Sequence, residues 1–125
     1  MILDTCALLW LAGGDKKLSR SAAKRINESP AVYVSAIRGF EIGLKVRKKK
    51  LKLPLAPKEW FEGVVEHHNL TVFPLTLEIR VAATELPPIH EDPCDHFIIA
   101  TARLNDLTVM TGDETFEKYG LTIIQ

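Results

Sequence analysis

Two cysteines in 125 residues, Cys6 and Cys94, leave nothing from which to build a disulfide framework. Both read as small, semi-apolar core residues of a chain kept in a reducing compartment. Histidine is also scarce. His90 and His96 stand near Cys94, but a zinc motif needs paired ligands at repeated spacing, and no second pair exists. No apolar run approaches the roughly 20 residues needed to cross a bilayer. The opening Met-Ile-Leu-Asp meets an acid at position 4 and has no basic stretch before its apolar residues, so it does not read as a secretory signal. A cytoplasmic protein is expected. Net charge of either sign is missing too: 16 Lys and Arg balance 16 Asp and Glu, so the whole molecule is no polycation. Repeats, low-complexity tracts and long linkers are absent, and residues 1–125 read as one domain.

What is present is an ordinary globular composition, 46% hydrophobic and 26% charged, enough to bury a core without staples. The balanced charge conceals a local excess. Lys45, Arg47, Lys48, Lys49, Lys50 and Lys52 fall in a stretch that contains no acid. Such a run is either a solvated face or a phosphate-contacting arm that releases counterions from a polyanion. Lys48, Lys49, Lys50 and Lys52 are the candidates for that contact.

Short β-branched runs alternate with longer helical patterns. Ile2-Leu3 leads into an apolar segment from Thr5 to Leu11, closed by Gly13-Gly14. Ser19 can cap a helix over 21–28, stopped at Ser29-Pro30. Val32-Tyr33-Val34 reads as a buried strand, and Ser35 as the cap of a helix running from Ala36 through the basic stretch to Pro54 and Pro57. A helix fits 58–68, a strand 71–73, and a short helix from Thr76 to about Glu85, broken by Pro87-Pro88. Asp92-Pro93 opens an apolar helix expected to pack in the centre. Thr108 to Thr111 is a strand, a short helix follows Asp113, and 122–124 is a last strand. Short apolar strands separated by helices imply an α/β fold, a three-layer α/β/α sandwich with a short, mostly parallel sheet.

In such sheets ligands bind at the carboxyl ends of the strands. Asp4 follows the first strand, Glu41 projects from the helix after the second, Asp95 lies in the first turn of the apolar helix, and Asp113 follows the fourth strand. Each of the three aspartates has an alternative role as a helix cap; Glu41, inside a helix, does not. The apolar neighbours of Glu41 (Phe40, Ile42) and Asp95 (Phe97 to Ala100) imply desolvation, which is costly without a partner. No Lys or Arg is expected at these junctions. Carboxylates without Cys or His suit a hard divalent cation, Mg²⁺ or Mn²⁺. Four gathered acids repel one another, so at least one raised pKa is expected. Ser35 and Thr111 are candidates to orient carboxylates by hydrogen bonds, or act simply as a cap and a strand residue.

Four segments in order resemble PIN domains: Ile2-Leu3-Asp4-Thr5; Ser35 to Ile42, with an aromatic-Glu-Ile; Asp92-Pro93-Cys94-Asp95-His96 followed by Ile98-Ile99-Ala100-Thr101-Ala102; and Thr111-Gly112-Asp113. His90 before Asp92-Pro93 is similar to the VapC-type toxin branch of toxin–antitoxin pairs. That branch usually carries Trp at Phe40, a hydroxyl residue near Arg38, Phe at Cys94 and Arg at His96. The resemblance implies a metal-dependent endoribonuclease with catalytic and metal-binding Asp4, Glu41, Asp95 and Asp113. It further implies an RNA substrate, a homodimer and an inhibitory antitoxin. The rivals are a PIN-like module that binds RNA or a partner without cutting it, and a phosphate-accepting receiver domain, which lacks its expected acid pair and cation here. Trp60, Phe61, Val64 and Val65 are expected to be left partly uncovered, as a dimer face.

Overall fold

Alternation along the shortest strands sets the layers. In β1 (Ile2–Leu3) the two side chains point to opposite faces of the sheet. Ile2 packs with Ile98, Ile99 and Phe116, while Leu3 packs with Leu8, Ile26 and Ile42. β4 (Val109–Met110) repeats the split, Val109 joining Ile2 and Met110 joining Leu3. Both faces are thus buried, as the near-continuous apolar strands require. The computed structural model describes all 125 residues.

The remaining elements are α1 (Thr5–Gly13), α2 (Arg20–Glu28), β2 (Tyr33–Ser35), α3 (Ile37–Arg47), α4 (Pro57–His67), β3 (Thr71–Phe73), α5 (Leu77–Thr84), α6 (Pro93–Asn105) and β5 (Ile123–Ile124), with a 3₁₀ segment over Glu114–Tyr119. The five strands form one parallel sheet in the order β3-β2-β1-β4-β5. α1, α2 and α4 cover one face; α6 and the 3₁₀ segment cover the other, and α5 packs behind α6 through Ile79, Ala83 and Ala100. This is the three-layer α/β/α sandwich expected. Gly14, at φ 62°, closes α1 in the left-handed conformation, with its N–H turned back to Leu11 and Trp10.

Three expectations need correction. α3 ends at Arg47 instead of reaching Pro54; Lys48 is its cap and Lys49 has φ 60°. A run of like charges gives little help to further turns, so Lys48, Lys49, Lys50 and Lys52 stand on an exposed loop. Trp60 is buried and so drops out of the expected open face, while Phe61, Val64 and Val65 are only partly buried against the same core and leave part of the apolar side of α4 uncovered. Cys6 is exposed on α1 and no core residue. No helix is long and apolar enough to cross a membrane.

Candidate functional site

Strand order reverses between β1 and β4, and such a switch opens a crevice at the carboxyl ends of the two strands. Asp4 directly follows β1, and Asp113 follows β4 through Thr111-Gly112. Glu41 comes from the second turn of α3, and Asp95 from the first turn of α6. Caps fix three of these local geometries. Asp4 Oδ1 accepts from the Ala7 N–H at 2.7 Å, Asp92 Oδ1 from the Cys94 N–H at 2.9 Å, and Asp113 Oδ1 from the Thr115 N–H at 2.9 Å. Each such cap contributes about 1 kcal/mol. Capping takes up one oxygen of Asp4 and one of Asp113 and leaves the other oxygen of each outside the cap.

Arg38, one turn before Glu41 on α3, overturns the expectation that no cation stands here. Its side chain is 0% exposed. One guanidinium nitrogen donates to Glu41 Oε1 at 2.9 Å and to Asp95 Oδ1 at 3.3 Å; the second reaches Asp95 Oδ1 at 3.4 Å. Its Nε has no partner. Removing one member of a buried ion pair leaves an uncompensated charge, at a cost on the order of 3–5 kcal/mol. The i, i+3 spacing from Glu41 was the available signal, since residues so spaced share a helix face. Thr5 is a second missed partner: its hydroxyl donates to Glu41 Oε1 from the residue after Asp4. Phe40, in contrast, is 62% exposed, so the burial of Glu41 comes from packing of the fold around Ile42 and not from both of its neighbours.

His90 joins the other two acids. Its Nε2 lies 3.2 Å from Asp95 Oδ2 and 2.9 Å from Asp113 Oδ2. Its Nδ1 accepts from the Asp92 N–H at 3.2 Å, which puts the proton of a neutral ring on Nε2, facing the carboxylates. The Tyr119 hydroxyl pins this loop, accepting from Ile89 and His90 N–H groups and donating to the Pro87 carbonyl. The ring of His96 is engaged by the His90 carbonyl at 2.5 Å. Ser35 and Thr111 contact no carboxylate. The Ser35 hydroxyl accepts from the Ile37 N–H at 3.3 Å, and that of Thr111 from the Asp113 N–H at 3.0 Å, fixing the turn that presents Asp113.

Burial raises the Asp95 carboxyl above its ordinary value; Arg38 and His90 pull against it, Asp92 and Glu41 with it. At Asp113 burial also pushes upward, but hydrogen bonds from Thr115 and His90 outweigh it and hold the carboxyl below the usual range. Burial pushes the Cys94 thiol up to about 11, so it stays protonated and is a poor ligand.

The donor chemistry fits a divalent cation. All four acids offer hard oxygens, and the second oxygens of Asp4 and Glu41 accept no hydrogen bond from the protein. Arg38 and His90 stand between the acids, and no three His, Cys, Asp or Glu side chains are already in the geometry of an ion site.

A doubly wound parallel sheet with acids at its switch point defines a class of small α/β domains that bind ligands there, and comparison with known proteins makes it specific. The PIN domain profile matches residues 1–121. The chain belongs to the PIN domain family, whose members are generally nucleases and generally use divalent metal ions. It is similar in fold to a chain of FitAB bound to an IR36 DNA fragment, with 19% identity and a TM-score of 0.68 over 98% of this chain and 92% of that one. It is likewise similar to FitAcB from Neisseria gonorrhoeae, with 22% identity and a TM-score of 0.65 over 100% of this chain and 97% of that one. No curated protein matches the sequence.

Proposed function

We propose that the chain is a single-domain endoribonuclease dependent on Mg²⁺ or Mn²⁺, the toxin of a toxin–antitoxin pair. The observation that carries this reading is the set of contacts that links Glu41, Asp95 and Asp113 through Arg38 and His90, beside Asp4 at the switch point. Asp4, Asp95 and Asp113 would hold the ion, with Glu41 as a further ligand or as the group that orients water. When bound, the ion supplies a lowered pKa to water and a counter-charge to the phosphate. Thr5 holds Glu41 by donating to Oε1, and Thr111 holds the Asp113 turn. Burial of Arg38, and the near burial of Glu41 and Asp95, strengthens the interactions among them. An RNA substrate fits the exposed cations at Lys48, Lys49, Lys50 and Lys52. The partners we assign are a cognate antitoxin and a second copy of the chain. The FitAB assembly bound to DNA supports a two-protein context of that kind.

The two nitrogen groups between the acids favour a second reading, a PIN-type module that binds RNA or a partner without cutting it. Incubating purified protein with RNA, in Mn²⁺ and in EDTA, separates the two. Cleavage in Mn²⁺ alone is expected. Groups that merely support a metal ligand are worth about 10–100-fold. Asp4→Asn, Glu41→Gln, Asp95→Asn and Asp113→Asn should therefore each lose at least about tenfold. Cleavage that survives EDTA or all four substitutions would sink the metal-dependent reading, and RNA binding without cleavage would leave the second.

A further inference from the structure

Arg38 is the largest fully buried side chain in the molecule, and its planar guanidinium suits a buried ion pair with carboxylates. It stands in the first turn of α3 with a guanidinium nitrogen 2.9 Å from Glu41 Oε1 and 3.3 Å from Asp95 Oδ1, so one cation serves two carboxylates. The fork is only partly used. Nε has no partner although it is out of contact with water. A guanidinium placed for hydrogen-bond coverage would be satisfied at that nitrogen, because burying a donor unpaired is costly. This one is placed where its charge is needed, between acids.

We infer that Arg38 is a resident counter-cation of the acidic site, a positioning residue that assembles Glu41 and Asp95 in the absence of a divalent ion and lowers the affinity with which an ion binds. The inference rests on the reading of these acids as ion-binding. Two effects follow from the geometry. The guanidinium engages Glu41 Oε1 and Asp95 Oδ1, so that the second oxygens of Glu41 and Asp4 are the ones an incoming ion meets free of hydrogen bonds, while His90 stands against Asp95 Oδ2 and Asp113 Oδ2. It also subtracts one unit of negative charge from the cluster at close range, where Coulomb attraction for a divalent ion is strongest. The site is thereby ordered in advance, and the ion is bound more weakly and exchanged more readily.

The test compares Arg38→Gln, Glu41→Gln and the double variant with wild type. Mn²⁺ binding is read directly by electron paramagnetic resonance of the free ion, and stability by thermal melts in EDTA. Arg38→Gln should melt lower than wild type in EDTA and bind Mn²⁺ at least about tenfold tighter, because the freed carboxylates then face the ion alone. Glu41→Gln should bind it more weakly. In the double variant the charge of the cluster equals that of wild type, and the affinity should return to within about threefold of the wild-type value. If Arg38→Gln is unfolded in EDTA, Mn²⁺ at concentrations that saturate wild type should refold it, as seen by circular dichroism; failure to do so overturns the inference. Wild-type or weaker affinity in Arg38→Gln, or a double variant more than about tenfold weaker than wild type, also overturns it while leaving the nuclease reading intact. If wild type and Arg38→Gln both fail to bind Mn²⁺, the metal-dependent reading falls and the counter-cation with it.

Discussion

At Asp95 two influences oppose each other: burial raises its carboxyl, and the Arg38 guanidinium pulls it back. The net shift is upward. An acid whose folded pKa exceeds its unfolded value binds its proton more tightly in the folded state, so folding loses stability as that acid ionises. The loss begins near the unfolded value of about 4 and grows as pH rises through the folded pKa. Asp113 has the opposite sign; its lowered pKa contributes stability above the unfolded value, and that stability disappears as pH falls through the folded one. Asp95→Asn imitates the protonated acid at every pH. In EDTA its melting temperature should match wild type near an acidic pH of about 3.5 and rise above it progressively towards about 7. A gap that narrows over that range would show that the ionised form is the stabilising one. The raised pKa was legible in outline, since gathered acids had to raise one of their number, but its first cause is burial. Asp4 and Asp113 could be read because each stands where a strand gives way to a helix, and Glu41 and Asp95 because each falls in the first two turns of a helix beside apolar residues. Arg38 could be read only as a helix-face neighbour of Glu41, and Thr5 not at all. The reach of Arg38 to Asp95 across 57 positions, and of Thr5 to Glu41 across 36, is decided by packing, not by pattern.

Among the elements, α3 does two jobs at its two ends. Its first turns bring Arg38 and Glu41 into the crevice, and it delivers the basic loop at its far end. At about 1.5 Å per residue, the stretch of helix from Glu41 to Lys48 separates the loop from that acid by roughly 10 Å. The start of α3 was readable from Ser35 and the apolar spacing behind it. Its end was not, because a run of lysines has good helix propensity and no breaker before Pro54; the left-handed turn at Lys49 decides it. The distance makes the loop separable from the chemistry. Changing Lys48, Lys49, Lys50 and Lys52 to Ser should weaken RNA binding and lower the slope of log affinity against log salt by about 0.7 for each phosphate no longer neutralised. Mn²⁺ binding at the acids should not change. An unaltered salt slope would make the loop a solvated face.

For the whole molecule, part of the apolar surface left over lies on α5 and α6. Leu77 is 73% exposed and Val81, one turn later on α5, is 48% exposed. Leu104, towards the end of α6, is 45% exposed. Isologous pairing is the commonest way for a small domain to cover such residues. Light scattering at tens of micromolar should give the mass of a dimer, and Leu77→Glu with Val81→Glu should give a monomer. A monomeric wild type would leave the dimer without support.

The sheet order also bears on how the protein is made. β1, formed from the second and third residues, is the middle strand, and one of its two neighbours is β4 at Val109–Met110. During synthesis, at about 5–20 residues per second, the first strand must wait for nearly the whole chain before that side is paired. Asp113 arrives later still. A ribosome-bound fragment can hold Asp4, Glu41 and Asp95 but has neither the crevice nor the fourth acid. Any activity that needs all four acids therefore begins only once translation has passed β4 and Asp113 has been added.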